Sequence, residues 1–247
     1  MSGHSKWATI KRKKGKTDAA RAKVFSKLIK EITIAARMGG GDESANPRLR
    51  TAILTGKAAN MPNANIENAI KKGTGDLEGV NYEEITYEAY GPGGTAFLLD
   101  ILTDNRNRCV GEIRHLLGKN GGNLAEGGAV AWMFNRAGLI LVPTEGVDED
   151  ELMEAALDAG ADDFAIEGEF YSITTPVDGF WNIRASIEEG GFTIESAEIA
   201  MIPSNLISVE GSIAKQVFRL MDILDDHDDI QKFWTNADLP DDMEDGD

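Results

Sequence analysis

The sequence has one cysteine, three histidines and no long apolar run, and each scarcity excludes something. Cys109 alone cannot form an internal disulfide, which fits a chain working in a reducing, cytoplasmic compartment. No stretch approaches the roughly 18–20 consecutive apolar residues of a membrane span, so no membrane partner is expected. The opening Met1-Ser2-Gly3-His4-Ser5-Lys6-Trp7 lacks an apolar signal core. His4, His115 and His227 are scattered, and no HExxH, CxxC, GxSxG or EF-hand spacing occurs, so neither a metal nor a cofactor is expected. Gly15-Lys16-Thr17 ends like a phosphate loop, but Ile10 stands where that loop requires glycine. Cys109 and His115 fall on different faces of one expected helix. No catalytic group is therefore nominated.

Positive charge is also scarce beyond the first third. Residues 1–75 hold 16 of the 25 basic residues and five acidic ones, a net of +11. The remainder holds nine basic and 37 acidic residues, a net of −28. Clustered Lys and Arg are the footprint of a nucleic-acid binder, because phosphate neutralisation releases condensed counterions. The acidic remainder would repel the same polymer.

Residues 1–17 read as an extended basic arm. Three helices are expected over residues 18–73, punctuated by Gly39-Gly40-Gly41, Pro47, Pro62 and Gly73. The period then changes to that of strands, with a hairpin turning at Gly91-Pro92-Gly93-Gly94. A helix capped by Asp104 or Asn105 follows, and then a strand over residues 129–136. After Ala137-Gly138 a new β-α-β-β-α-β order begins at a strand over 139–142. A helix over residues 210–225 and a strand over 230–234 close the chain. The fold class expected is multidomain α+β: a helical bundle plus two α+β domains, a ferredoxin-like one inserted into the other. The boundaries fall at 1–75, at 76–136 with 205–240, at 137–204, and at an acidic tail, 241–247.

Candidate nucleic-acid contacts are Lys6, Lys11, Arg12, Lys13, Lys14 and Lys16 of the arm, with Arg21 and Lys23 of the first helix. Trp7 is a candidate base stacker or, equally, an anchor for the arm. Arg106 and Arg108 oppose the dipole of the helix they open, which suggests a bound anion or, for Arg108 especially, a neighbouring carboxylate. The loop 120–128 reads as irregular turn geometry in preference to a mobile binding loop. Residues 137–204 contain one basic residue, Arg184, which reads either as a solubilising surface or as a docking face for a basic protein. A second class of reading is an enzyme whose interdomain cleft holds an anionic substrate on Arg106 and Arg108.

Several motifs, in order, resemble the YebC family: Gly3-His4-Ser5-Lys6-Trp7 with Ile10-Lys11-Arg12-Lys13-Lys14-Gly15, then Met61-Pro62-Asn63-Ala64-Asn65-Ile66, Tyr87-Glu88-Ala89-Tyr90-Gly91-Pro92-Gly93-Gly94, Thr103-Asp104-Asn105-Arg106-Asn107-Arg108, and Val130-Ala131-Trp132-Met133-Phe134. Ala89 and Ala125 stand where the resemblance leads one to expect glycine. It implies three domains and a cytoplasmic, non-enzymatic regulator of gene expression. Members of that family are described as probable transcriptional regulators that bind DNA. Others resemble translation factors acting at the ribosome, including a mitochondrial translational activator, so DNA and RNA are both implied partners.

Overall fold

The computed structural model describes residues 18–240, with side chains from residue 22 onward. The chain opens with three helices, α1 (Asp18–Gly39), α2 (Pro47–Ala58) and α3 (Asn63–Thr74). Gly40 ends α1 at a φ of +84°. Asn46 then ties the turn together: its Oδ1 accepts from Leu49 N, while its Nδ2 donates to Ala35 O at 2.8 Å and Gly40 O at 2.9 Å. Pro47 takes the first helical position, where its missing N–H costs nothing. Ile32, Ala36, Leu49, Ile53, Ile66 and Ala69 meet in the bundle core.

The remaining elements run β1 (Glu83–Tyr90), β2 (Ala96–Thr103), α4 (Arg106–Lys119), β3 (Asn123–Leu124), β4 (Phe134–Pro143), α5 (Glu149–Asp158), β5 (Asp163–Glu167), β6 (Phe170–Thr175), α6 (Phe180–Glu189), β7 (Ser196–Pro203), β8 (Ile207–Ser208), α7 (Gly211–Asp226), β9 (Ile230–Thr235) and β10 (Ala237–Asp238). Two antiparallel four-stranded sheets result, ordered β3-β1-β2-β9 and β5-β6-β4-β7, with β8 and β10 paired beside them. The second sheet has the ferredoxin-like order, and β9 returns from the far end of the chain to complete the first.

Alternation along the strands sorts the side chains into layers. Phe97, Leu99 and Ile101 of β2 pack under α4 and α7 with Ile113, Val217 and Leu220. Ala96 and Leu98 point the other way and meet Leu139, Leu141, Phe170 and Trp234 in a core shared by both sheets. Ile140 and Val142 face the opposite side of β4, against Leu152, Phe180 and Ile183 of α5 and α6. The α+β region is thus four layers deep, helix–sheet–sheet–helix. β2 is buried on both faces, which is why it reads as a nearly unbroken apolar run.

One sequence expectation fails here. The strand foreseen over 129–136 and the one over 139–142 are a single strand, β4, and residues 131–133 form a turn of 3-10 helix. The domain boundary drawn at residue 137 therefore falls within β4. Ala137-Gly138 resembled a break, but Gly138 is a site of close packing: a Cβ there would lie 2.2 Å from Thr175 Oγ1 and 2.4 Å from Phe180 Cδ2. The third strand of the first sheet is instead the two-residue β3. Gly138→Ala should therefore lower stability by about 1–3 kcal/mol through overpacking, measured as a shift of the urea midpoint. An unchanged midpoint would contradict the close packing.

Candidate nucleic-acid interface

α7 ends in Asp225 and Asp226, followed by Asp228 and Asp229. Carboxylates at a helix C-terminus face the negative end of its dipole, so this placement requires compensating positive charge. The bundle supplies it. Lys23 Nζ lies 2.6 Å from Asp226 Oδ1. Lys27 donates to Asp225 O at 2.8 Å and sits 3.8 Å from its carboxylate. Lys30 donates to Asp228 O at 2.8 Å and to Asp229 Oδ1 at 2.7 Å, with its ammonium over the Tyr82 ring. Asp229, whose side chain is 2% exposed, also accepts from Arg108 Nη2 at 2.8 Å and Thr103 Oγ1 at 3.0 Å. Burial pushes its carboxyl up, but Lys30, Thr103 and Arg108 outweigh burial and hold it below the ordinary carboxylate range. A second tie joins bundle and sheet: Arg48 is forked on Glu31 at 2.8 and 3.0 Å and bridges to Glu84 of β1.

This lysine–aspartate seam changes the standing of several sequence candidates. Lys23 lies in it, paired within the protein. Arg108 is held by Asp104 at 2.9 Å, Glu112 at 3.2 Å and Asp229, so its charge is offset three times. The expectation that it turns to a carboxylate describes what is found. Arg106 is exposed and has no ion pair among the described residues. Arg21 lies on α1 with its side chain outside the described residues. Lys6, Trp7, Lys11, Arg12, Lys13, Lys14 and Lys16 lie outside them altogether, as does the acidic tail. The structure therefore brings together Lys23 and Arg108 through the aspartates between them, not as one open cationic surface.

Sequence reading missed Lys27 and Lys30 as structural partners, and Asp229 as the group they serve. The available signal was the misplaced acid: four aspartates at and just beyond a helix C-terminus. It also missed Glu88. That carboxylate accepts from the backbone N–H groups of Gly128 at 2.5 Å, Val130 at 2.6 Å and Ala131 at 2.8 Å. Burial raises the Glu88 carboxyl, but these bonds win and hold it below its usual range. The Gly-rich loop is thus pinned from beneath. It presents Trp132, 69% exposed, with its Nε1 donating to Ala129 O at 3.0 Å.

Between the facing sheets lies a cleft of about 600 Å³, with Arg48 and Glu31 of the bundle among its walls. Asp100 lines it, and burial pushes its carboxyl up. Gln231 also lines it, with Nε2 buried and unpartnered among the described residues. Arg48, Arg136 and Lys232 alternate with Glu31, Glu84 and Asp100, so the cleft has no single sign of charge. The depression beside Arg108 is lined by Glu112, Asp226 and Asp228 as well, which makes it a poor anion site. Cys109 is fully buried and burial pushes its thiol up to about 11, which keeps it protonated and unreactive. Among the described residues no cluster of three or more His, Cys, Asp or Glu could hold a metal ion. No helix among them is long and apolar enough to cross a membrane.

A helical bundle sealed by charge to a four-layer α+β body defines a multidomain α+β protein without a recognisable catalytic constellation among the described residues. The chain belongs to the TACO1/YebC family: residues 5–76 match the TACO1/YebC protein N-terminal domain, and residues 82–237 match the TACO1/YebC second and third domain. A relative from Desulforapulum autotrophicum is 57% identical over 98% of both chains, and one from Syntrophobacter fumaroxidans is likewise 57% identical over 98% of each. Both carry the name probable transcriptional regulatory protein. The crystal structure of a conserved hypothetical protein from Aquifex aeolicus matches with a TM-score of 0.83 at 44% identity, covering 92% of this chain and 93% of that one.

The seam makes unequal demands on its members. Lys30→Met leaves a buried carboxylate short of a partner and should cost about 1–3 kcal/mol in urea unfolding. Lys23→Met, at an exposed pair, should cost no more than about 1 kcal/mol. Because the Asp229 carboxyl is depressed on folding, its contribution is complete at neutral pH and is lost as pH falls through and below the ordinary carboxylate range. Asp229→Asn should flatten that acid limb. Equal losses at the two lysines, or an unaltered acid limb, would show that the seam is not organised around Asp229.

Proposed function

We propose that the protein is a non-enzymatic, cytoplasmic, nucleic-acid-binding regulator of gene expression that holds DNA through its basic N-terminal region. The observation that carries this reading is the arm: residues 1–17 hold six basic residues and no acidic one. Lys23, Lys27 and Lys30 are engaged by aspartates in the seam. In the sequence, the arm is the densest run of basic residues in the N-terminal third. Lys6, Lys11, Arg12, Lys13, Lys14 and Lys16 would contact phosphates, with Trp7 stacking on a base or anchoring the arm, and Arg21 extending the row. The names of the relatives support transcription as the process and DNA as the polymer. Phosphate contacts of this kind hold the polymer without reading base edges, so sequence preference must come from elsewhere. An RNA target at the ribosome is the other arm of the test.

Full-length protein and a variant lacking residues 2–16 should be compared on duplex DNA, structured RNA and ribosomes over a range of salt. The full chain is expected to show a steep salt dependence, approaching a log–log slope of about −5 for six phosphate contacts, and the deletion should remove most of it. Preference for ribosomes over DNA would reassign the process to translation. Unchanged affinity of the deletion for all three would overturn the reading.

A further inference from the structure

Nine basic residues lie beyond residue 75, and six of them sit on just two helices, α4 and α7: Arg106, Arg108, Arg114, Lys119, Lys215 and Arg219. The same helices carry only four of the 37 acidic residues beyond that point: Glu112, Asp222, Asp225 and Asp226. Glu112 is engaged by Arg108 and approached by His227 at 3.4 Å, while Asp225 and Asp226 are engaged by Lys27 and Lys23. Arg106, Arg114, Lys119, Lys215 and Arg219 are exposed and make no ion pair among the described residues. Of the other three basic residues beyond residue 75, Arg184 and Lys232 are paired with Glu188 and Glu198, and Arg136 lies apart in the cleft between the sheets, so most of the uncompensated positive charge of the acidic two-thirds gathers on one layer.

The two helices lie side by side on one face of the first sheet. The N-terminal half of α4 borders the C-terminal end of α7, since Arg108, Glu112 and His115 share a depression with Asp226 and His227. The other ends also meet: a Cβ on Gly121, just past α4, would lie 3.4 Å from Gln216 Oε1. Lys119, two residues before Gly121, and Lys215, next to Gln216, therefore lie toward the same end of the layer, with Arg219 about one turn further along α7. Arg106 and Lys119 are thirteen residues apart, about 20 Å along α4 at 1.5 Å per residue. That length matches roughly six base pairs of duplex at 3.4 Å each. The root of the arm is close by: Asp18 is five residues, about 7.5 Å along α1, from Lys23, whose ammonium rests on the last residue of α7.

We propose that the outer face of α4 and α7 is a second phosphate-contact surface, engaging the same nucleic acid as the arm through Lys119, Lys215 and Arg219, with Arg106 and Arg114 flanking them. This rests on the reading of the arm as a nucleic-acid binder and extends it to the body of the molecule. The layer's positive charge favours a polyanion, and since Lys23 rests on Asp226, seven residues or about 10 Å along α7 from Arg219, the polyanion must be long enough to span that distance to touch both.

The test uses full-length protein, the combined variant Lys119→Gln, Lys215→Gln and Arg219→Gln, and the protein lacking residues 2–16, each titrated with a 30-base-pair DNA and a structured RNA at several salt concentrations. The substituted side chains are exposed, so unchanged circular dichroism and melting are expected. The triple variant should bind about tenfold more weakly near 0.1 M salt, with a log–log slope shallower by roughly two to three. In the wild-type complex, amine-reactive acetylation of Lys119 and Lys215 should drop severalfold relative to free protein. Wild-type affinity and slope in the triple variant, or equal acetylation with and without nucleic acid, would overturn this surface while the arm's role stood. Binding lost in the triple variant but kept by the deletion would support the surface and overturn the arm. No binding by the wild type to either polymer would overturn both.

Discussion

Asp229 is a buried carboxylate that no single neighbour could offset. Desolvation disfavours its charge, and it remains ionised because Lys30, Arg108 and Thr103 converge on it from the bundle, from α4 and from the end of β2. One side chain thus fixes where the bundle meets α4 and the end of β2. Its backbone contributes too, since its carbonyl accepts from Leu102 N at 2.9 Å and so aligns the approach to β9 beside β2. The outer pairs, Lys23 and Lys27 with Asp226 and Asp225, extend the contact along α1 but are more open to water than Asp229. The Lys23 pair contributes as an exposed pair and the Lys27 pair is half-buried, whereas the geometry depends on the inner one.

Much of the architecture is legible in the residues because local and global signals agree. Gly39-Gly40-Gly41, Pro47 and Pro62 punctuate the bundle as they should, and Asn105 caps α4 by accepting from Arg108 N. Trouble came where a residue has a tertiary reason. Gly138 looked like punctuation because its missing side chain is needed by Thr175 and Phe180, which are distant in sequence. The pairing of Lys23 was not legible in the sequence because its partner, Asp226, lies 203 residues away. Charge clustering reveals that a segment needs counter-charge. It does not reveal whether that charge comes from a ligand or from the chain's own far end, and for Lys23, Lys27 and Lys30 of the bundle it comes from the far end.

The functional reading follows from that distinction. Cations held by aspartates position the bundle. Cations without an ion pair among the described residues, Arg106, Arg114, Lys119, Lys215 and Arg219 on the outer layer of α4 and α7, differ from them in having no internal counter-charge there. In the interior, Cys109 is a small apolar core residue, and the cleft mixes both signs around Asp100 and Gln231. A molecule that divides its positive charge in this way can hold a polyanion on one side while its acidic surfaces limit how far the polymer wraps.

The return of β9 also bears on how the protein emerges from the ribosome. Synthesis delivers α1 with its lysines first and the aspartates near residue 229 last, with the whole second sheet between them. Until those final turns appear, the bundle is a polycation without its internal counter-charge, and β2 lacks its edge partner. The nascent chain therefore spends most of its elongation in a more adhesive electrostatic state than the finished one, and completion of the last strand is also the moment at which that charge is withdrawn.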